Sequence, residues 1–233
     1  MQFQKIKIFY DGTNLEKYCN CPFVQGVTTN TSFMKQAGEI NYLEFYEKNS
    51  SYIRDMPISF QIYQEDEDKA FRDALKIASY GRNTYVKVPV VDTNGCFNSS
   101  LMKRMLGANL KVNITSVYTT EQIDDIKEIV KGYKCPIIVS IFSGRISDTA
   151  RDPVIYVQHA VQTFKDHPNV EILWAGCKEV LSIRHAENSG CHIITVPDAI
   201  LDRIHRVDKD LRELSVETVK SFKNDGVTAN IVI

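Results

Sequence analysis

The chain contains 233 residues, 43% of them apolar, and its 28 basic and 29 acidic side chains leave a formal net charge of −1. This balance excludes the strongly basic surface that attracts nucleic acids and anionic membranes, so neither partner is expected. The longest apolar runs, such as 137–142, are far shorter than the roughly 20 residues that span a bilayer. The first residues reach Asp11 before a signal-peptide core develops. We therefore expect a soluble, cytoplasmic protein that acts on small molecules.

The cysteines and histidines do not show metal-site spacing. The only close cysteine pair is Cys19 and Cys21, and a C-x-C pair lacks the C-x-x-C geometry of zinc knuckles and redox dithiols. The five histidines form no H-x-x-x-H pair. We predict free cysteines that behave as small hydrophobes, no metal and no cofactor.

Eight short segments rich in apolar and β-branched residues predict β-strands along the whole chain. Several are nearly continuous apolar runs, which is typical of parallel strands covered on both faces. The predicted strands are 5–11, 23–29, 58–63, 84–90, 111–118, 136–142, 170–176 and 191–197.

Helical patterns alternate with these strands. Apolar residues recur at spacings of three and four in 65–81, 119–134 and 154–167, with acidic residues near the starts and lysines near the ends. The segment 12–22 has room for one helical turn, and helical sequence runs from Asp198 to about Asn224.

This alternation predicts an α/β fold: a single (β/α)8 TIM barrel with a C-terminal helical tail. No linker rich in Pro, Gly or Ser divides the chain, so 1–233 is predicted to be one domain. The rival topology is a doubly wound open sheet. That fold usually has a glycine-rich phosphate loop after an early strand, and the sequence contains no such motif.

Polar residues occur near the ends of the apolar strands, where a parallel barrel places its active site. Seven successive strands have such a residue at a comparable position. The candidates are Asp11, Thr28, Asn30, Gln61, Lys87, Thr115, Ser140, Arg145 and Lys178.

Lys87 lies between Val86 and Val88 in the middle of the fourth strand. Burial of an ammonium costs several kcal/mol unless it is paired or loses its proton. A desolvated lysine has a lowered pKa and becomes a nucleophile that forms a Schiff base with a carbonyl. The alternative is a lysine on an edge strand, or one whose amine reaches solvent.

Asp11, Arg145 and Lys178 each have a structural and a functional interpretation. Asp11 is either an N-cap of the following turn or a carboxylate facing Lys87. Arg145 and Lys178 are either ordinary surface cations or an anion site above the barrel mouth, where a guanidinium suits phosphate. Gly144 before Arg145 would allow close approach of a ligand.

These segments resemble the transaldolase family, including its short fructose 6-phosphate aldolase-like members. The resemblance covers nearly the whole chain in order. It rests on GVTTN (26–30), YVKVP (85–89), TSVYTTEQ (115–122), SIFSGRISD (140–148) and the later stretch 172–197.

The resemblance implies a barrel with class I aldol chemistry. Lys87 would form the Schiff base with a ketose, and Asp11 would move the proton whose loss breaks the carbon–carbon bond. Gln61 and Thr115 would position a water during imine formation and release. The remaining implied roles are substrate binding: Asn30 and Thr28 at the dihydroxyacetone unit, and Ser140, Arg145 and Lys178 at the phosphate.

Two positions of this chain depart from the family pattern, and two others are typical of different branches of the family. Thr31 replaces a proline, and Gly176 stands where transaldolases often have a serine near the phosphate. Gln61 is typical of the short aldolase branch. Phe142 is the transaldolase-like residue, because the aldolase branch has a tyrosine there, and phenylalanine has no proton to donate to the carbanion.

We therefore predict a transaldolase of carbohydrate metabolism, of the pentose phosphate pathway type, that acts on sugar phosphates. Loss of a proton donor at Phe142 should prolong the carbanion and favour its capture by an aldehyde. The alternatives are a lyase that releases dihydroxyacetone and glyceraldehyde 3-phosphate, a non-catalytic sugar-phosphate-binding relative, and an enzyme with an acceptor from specialised sugar metabolism.

The resemblance also implies a homo-oligomer, since short family members form rings of many subunits. The tail 216–233 ends in Ile231, Val232 and Ile233, and an apolar end of this kind is more stable covered than solvated. It would pack on a neighbouring subunit or fold back on its own barrel.

Overall fold

The computed structural model describes residue 3, residues 5–53 and residues 55–232. Its eight strands form one closed barrel in chain order, and every neighbouring pair is parallel. The predicted (β/α)8 barrel is therefore confirmed, and the open sheet is excluded. The strands are β1 (Lys7–Asp11), β2 (Val24–Thr28), β3 (Ile58–Gln61), β4 (Thr84–Pro89), β5 (Val112–Val117), β6 (Ile137–Ile141), β7 (Val170–Trp174) and β8 (Ile193–Pro197).

Helices connect the strands and continue beyond the last one. A 3₁₀ turn, Ile204–Arg206, lies between the last two α-helices. The α-helices of the described residues are α1 (Leu15–Tyr18), α2 (Thr31–Gln36), α3 (Tyr42–Lys48), α4 (Ser50–Ile53), α5 (Glu67–Ala78), α6 (Ser99–Gly107), α7 (Thr120–Val130), α8 (Ser143–Ser147), α9 (Pro153–Thr163), α10 (Leu181–Asn188), α11 (Asp198–Leu201) and α12 (Leu211–Thr228).

The predicted helices with the clearest periodicity are present, and their ends are set by caps. Asp66 accepts a hydrogen bond from the Lys69 amide at the start of α5, and Thr119 and Gln122 form a capping box at the start of α7. These bonds satisfy backbone donors that the first helical turn leaves unpaired. The single turn expected in 12–22 is α1.

The sequence did not predict α6, α8 and α10. It also did not predict the short helices α2 to α4, which fill the long connection between β2 and β3. Asn30 and Asn41 cap α2 and α3, and each side chain accepts two backbone N–H groups. Because these helices span seven residues or fewer, they are too short for a repeating apolar pattern to reveal them.

The barrel interior is layered because alternate residues of a strand face the same side. The interior contains an apolar cluster: Phe9, Tyr85, Ile138, Leu173, Ala175 and Ile193, with Phe142 packed against it. Asp11 on β1, Lys87 on β4 and Ser140 on β6 each lie two residues after a member of this cluster. The polar layer therefore lies on the apolar one, toward the C-terminal ends of the strands.

All six cysteines are free. Cys19, Cys135, Cys177 and Cys191 are buried, as predicted for small hydrophobes, whereas Cys96 is exposed. Burial raises the pKa of Cys177 to about 12, so this residue stays a thiol. Within the described part of the chain, no helix has the length and apolar content needed to cross a bilayer.

The chain divides into two compact units, residues 1–201 and residues 202–233. The first unit is the barrel. The second is mainly α12, which begins after Asp210, whose side chain accepts the amides of Arg212 and Glu213. The prediction of one domain over 1–233 remains a prediction. Ile231 and Val232 are exposed in this single chain, and Ile233 lies outside the described residues.

Candidate active site

Lys87 points into the barrel from β4 and is 7% exposed. Its Nζ donates a hydrogen bond to the backbone oxygen of Thr29 over 3.0 Å. Burial lowers the pKa of Lys87, and the negative charge of Asp11 opposes that change. A closed barrel has no edge strand, and the amine is buried, so neither structural alternative for this lysine applies.

Asp11 lies at the C-terminal end of β1 and accepts a hydrogen bond at Oδ1 from the Thr28 hydroxyl over 2.7 Å. Burial raises the pKa of Asp11, while the charge of Lys87 and the Thr28 hydrogen bond act in the opposite direction. Asn14 occupies the N-cap position of the helix that follows, without a side-chain capping hydrogen bond, so Asp11 is not its N-cap. The structure therefore places a half-buried carboxylate in the electrostatic field of a buried amine.

One cavity of about 160 Å³ joins most of the predicted site residues at this end of the barrel. Its volume corresponds to roughly five waters at about 30 Å³ each. Eight of the ten predicted residues line it: Asp11, Thr28, Asn30, Lys87, Thr115, Ser140, Phe142 and Arg145. The rest of its wall is Phe33, Leu173, Ala175, Gly176 and Thr195.

Gln61 does not line this cavity, although it pairs with Lys87 in the β3–β4 register. It lines two neighbouring clefts together with Ile62 and Tyr63. Its backbone oxygen accepts a hydrogen bond from the Tyr42 hydroxyl over 3.0 Å. The predicted role of Gln61 in positioning water stays a prediction.

Lys178 also lies away from the cavity wall. Its Nζ is 3.0 Å from the Asp148 carboxylate, and the two side chains are 54% and 58% exposed. An exposed ion pair of this kind contributes little to stability. A phosphate at Lys178 would compete with Asp148 for the ammonium.

Arg145 belongs to the cavity wall and is exposed at its rim. Its guanidinium forms a hydrogen bond with the Tyr118 hydroxyl, and both this bond and its charge oppose the rise that burial causes in the pKa of Tyr118. The Tyr118 and Phe142 rings pack with their centroids 5.5 Å apart. Tyr118 thus contacts both Arg145, a candidate phosphate-binding residue, and Phe142, which lines the cavity.

Gly144 and Gly176 bring two backbone segments together at the same rim. A Cβ on Gly144 would overlap the Gly176 carbonyl oxygen, so no side chain fits there. Gly176 has φ of +73°, a left-handed conformation that favours glycine. The glycine that replaces the family's serine therefore suits its local backbone, and it leaves the cavity without that hydroxyl.

Two further predicted residues present polar atoms to the cavity. The Thr115 hydroxyl is buried and has no hydrogen-bond partner among the described residues, so it is available to a ligand or a water. The Asn30 Oδ1 accepts the Ser32 and Phe33 amides at the start of α2. Its amide nitrogen is the group that remains for a ligand.

The sequence interpretation missed two buried polar groups of the barrel interior. Asn113 pairs with Lys87 in the β4–β5 register, donates a hydrogen bond to Ser59 over 3.1 Å, and accepts one from Ser140 over 2.7 Å. Thr195 lines the cavity from β8 and is hydrogen-bonded to Thr28. An amide within the apolar run KVNITSV was a signal for Asn113; a threonine in a strand gives no comparable signal.

The cavity can bind a carbonyl compound next to an amine whose pKa is lowered and a carboxylate whose pKa is raised. Perturbed groups of this kind concentrate at functional sites. With these groups at the C-terminal ends of its strands, the protein has the arrangement of a (β/α)8-barrel enzyme site.

The transaldolase/fructose-6-phosphate aldolase family model matches residues 2–231, and the chain belongs to this family. It is 26% identical to a probable transaldolase of Thermoanaerobacter sp. (strain X514), over 98% of this chain and 100% of that protein. It is 28% identical to one of Nitrosopumilus maritimus (strain SCM1), over 85% and 87% of the two chains.

A third similar protein is the probable transaldolase of Methanococcus maripaludis (strain C5 / ATCC BAA-1333), 25% identical over 85% of this chain and 89% of that protein. Among solved structures, a point variant of mandelate oxidase with 4-Br-2-hydroxy-methylphenylacetate has a TM-score of 0.53 and 13% identity. The match covers 75% of this chain and 56% of the oxidase. It supports the barrel fold alone.

Proposed function

We propose that the protein transfers a dihydroxyacetone unit from a ketose phosphate, such as fructose 6-phosphate or sedoheptulose 7-phosphate, to an aldose phosphate. The observation that carries the proposal is the buried Lys87 amine, which lines one cavity together with the Asp11 carboxylate. Family membership supports it, since similar proteins of nearly the same length are named probable transaldolases.

The first step is imine formation at Lys87. The neutral amine attacks the ketose carbonyl carbon, and water leaves as the carbon–nitrogen double bond forms. The lowered pKa of Lys87 supports this step because more of the amine is neutral at a given pH. Thr115, with its unpartnered hydroxyl, is the group that would hold the departing water.

The second step is cleavage of the bond between C3 and C4. Asp11 takes the proton of the C4 hydroxyl, the electrons of the carbon–carbon bond pass to the protonated imine, and the aldose phosphate leaves. The raised pKa of Asp11 supports this role, because a carboxylate with a pKa nearer to neutrality is a stronger base. Addition of the bound carbanion to the acceptor aldehyde, followed by hydrolysis, reverses these steps.

Arg145 is the cation best placed for the phosphate, since among the described residues it is the one Lys or Arg side chain on the cavity wall besides Lys87. Ser140 lines the same cavity, but its hydroxyl donates to Asn113, so it would serve as an acceptor. Lys178 would join the site only after release from Asp148. We therefore assign the phosphate to Arg145 first and to Lys178 second.

Phe142 supports transfer rather than release. Its ring lines the cavity, packs against the apolar cluster, and offers no proton to a carbanion. Release of dihydroxyacetone is the alternative activity, and the family description covers both reactions. Fructose 6-phosphate without an acceptor should give little free dihydroxyacetone, and addition of erythrose 4-phosphate should start turnover. Equal turnover in both conditions would favour the lyase.

The Schiff base is tested by borohydride reduction in the presence of fructose 6-phosphate. The intact mass should show one three-carbon adduct, and peptide mapping should place it at Lys87. Lys87→Met should abolish the adduct and turnover. Lys111→Met, a change of an exterior lysine that contacts the Tyr85 ring, should preserve both. Transfer activity in Lys87→Met would contradict the mechanism, and no adduct in wild type would favour a sugar-phosphate-binding relative.

We also propose that the chain forms a homo-oligomer. Apolar side chains of α12 are exposed, and a helix with apolar residues in water is more stable when covered. They are Leu211, Val216, Val219, Phe222 and Val227. Deletion of residues 226–233 or Phe222→Glu should lower the mass measured by light scattering, whereas Lys223→Glu should leave it unchanged. A monomeric wild type would overturn this proposal.

A further inference from the structure

Thr195 is a buried hydroxyl of the cavity wall to which neither the sequence nor the proposed reaction assigns a role. It lies in β8, is 3% exposed, and its Oγ1 forms a hydrogen bond with the Oγ1 of Thr28. Thr28 is itself 1% exposed and donates to Asp11. The three side chains come from β8, β2 and β1, so only the closed barrel brings them together.

The direction of these two hydrogen bonds follows from the number of protons. An ionised carboxylate is only an acceptor, and a threonine hydroxyl has a single proton to donate. The Thr28 proton is therefore used on Oδ1 of Asp11, and in the second bond Thr195 must be the donor. The order is Thr195 to Thr28 to Asp11.

This order distinguishes the two oxygens of Asp11. Oδ1 accepts the Thr28 hydroxyl, whereas Oδ2 accepts no hydrogen bond from the described residues. A proton added to Oδ1 would point at the Thr28 hydroxyl proton, and the hydrogen bond between the two groups would be lost. Oδ2 is therefore the oxygen that remains free to take a proton from a ligand in the cavity.

We propose that Thr195 is a positioning residue: by donating to Thr28, it holds the Thr28 proton on Oδ1 of Asp11 and leaves Oδ2 to carry out proton transfer. Hydrogen bonds in series strengthen one another in a low-dielectric interior. The Thr195 hydroxyl therefore stabilises the ionised form of Asp11 without touching it. This inference rests on the proposed function only for the proton transfer; the hydrogen-bond order itself does not depend on it.

The first test uses no substrate. Thr195→Val keeps the shape of the side chain and removes the hydroxyl that donates to Thr28. The ionised form of Asp11 is then less stabilised, so the pKa of Asp11 should rise. The pKa is measured from the carboxyl carbon signal in a ¹³C NMR titration, with Asp11→Asn identifying the signal. Thr195→Ser should restore the wild-type titration. Thr84→Val is the matched control, since that buried β4 hydroxyl has no partner among the described residues.

The second test follows turnover. In Thr195→Val, kcat for ketose cleavage should fall about 3- to 10-fold, the effect expected for one lost hydrogen bond. The acid limb of the pH profile should move to higher pH, because Asp11 must be ionised to accept the proton. At a pH where Asp11 is ionised in both proteins, borohydride trapping of dihydroxyacetone at Lys87 should keep its wild-type rate, since that step needs no carbon–carbon cleavage.

The two tests separate failure of this inference from failure of the proposed function. An Asp11 titration unchanged in Thr195→Val, or changed equally in Thr84→Val, would overturn the positioning role whatever the reaction is. A raised Asp11 pKa with unchanged cleavage and an unchanged pH profile would overturn the link between Thr195 and proton transfer. Absence of any adduct at Lys87 in wild type would overturn the proposed function and leave the titration result intact.

Discussion

Replacement of Asp11 by asparagine separates the two functions that we propose for the carboxylate. In the protein, the negative charge of Asp11 raises the pKa of Lys87, against the larger effect of burial, which lowers it. Asp11→Asn removes that charge and keeps the size of the side chain. The pKa of Lys87 should therefore fall further, and the neutral amine that forms the imine should be present at lower pH than in wild type.

The magnitude follows from the cavity that the two side chains share. Both side chains line one cavity, and unit charges about 7 Å apart interact by roughly 2 kcal/mol at an effective dielectric constant near 20. Roughly 2 kcal/mol is about a thirtyfold change in the ratio of neutral to charged amine. Carbon–carbon cleavage should instead slow by about 10²- to 10⁴-fold, because the general base is lost.

The assay compares trapping with cleavage over pH. Borohydride trapping of dihydroxyacetone, followed by intact mass, should show the Asp11→Asn curve displaced to lower pH, while fructose 6-phosphate cleavage is nearly abolished. Asp55→Asn is the control, since that exposed carboxylate pairs with Arg82 on the surface. A trapping curve that moves to higher pH, or cleavage at the wild-type rate, would refute the assignment of Asp11.

Three further changes test the rim and the packing. Phe142→Tyr should raise the release of free dihydroxyacetone relative to transfer, because the new hydroxyl is a proton donor beside the carbanion; an unchanged product ratio would exclude this role. Tyr118→Phe should raise KM for fructose 6-phosphate about 3- to 10-fold through loss of one hydrogen bond to Arg145; an equal effect on unphosphorylated dihydroxyacetone would argue against a phosphate role. Gly144→Ala should lower the free energy of unfolding, measured by urea denaturation, by about 1–3 kcal/mol because it overpacks the rim. Gly107→Ala should not lower it, because a Cβ at Gly107 would meet no neighbouring atom within 4 Å.

The closed barrel decided which interpretation of Lys87 applies. From sequence, a lysine between valines was either a buried nucleophile or an edge-strand residue. Closure of eight strands removes every edge, and the β3–β4 and β4–β5 registers place Lys87 beside Gln61 and Asn113 on the inner face. The same closure brings Asp11 into its electrostatic field, although the two residues lie 76 positions apart in the sequence.

The positions of three other predicted site residues depended on side-chain conformation, which a sequence pattern does not predict. Gln61 ends β3 and Lys178 follows β7, yet Gln61 lines two neighbouring clefts instead of the cavity and Lys178 pairs with Asp148. Rotamers and competing partners, rather than strand order, decide between these positions. Thr28 was expected to hold a substrate hydroxyl, whereas its own hydroxyl is engaged by Asp11 and Thr195.

The sequence by itself determined the eight strands, their alternation with the principal helices, and the end of the barrel at which polar groups collect. It could do so because a parallel strand covered on both faces must be apolar, so a charge within it stands out. Only the tertiary structure decided which polar groups share one cavity and in which direction the Thr195–Thr28–Asp11 hydrogen bonds run. Those contacts join strands distant in the chain, and they exist only once the first strand closes on the last.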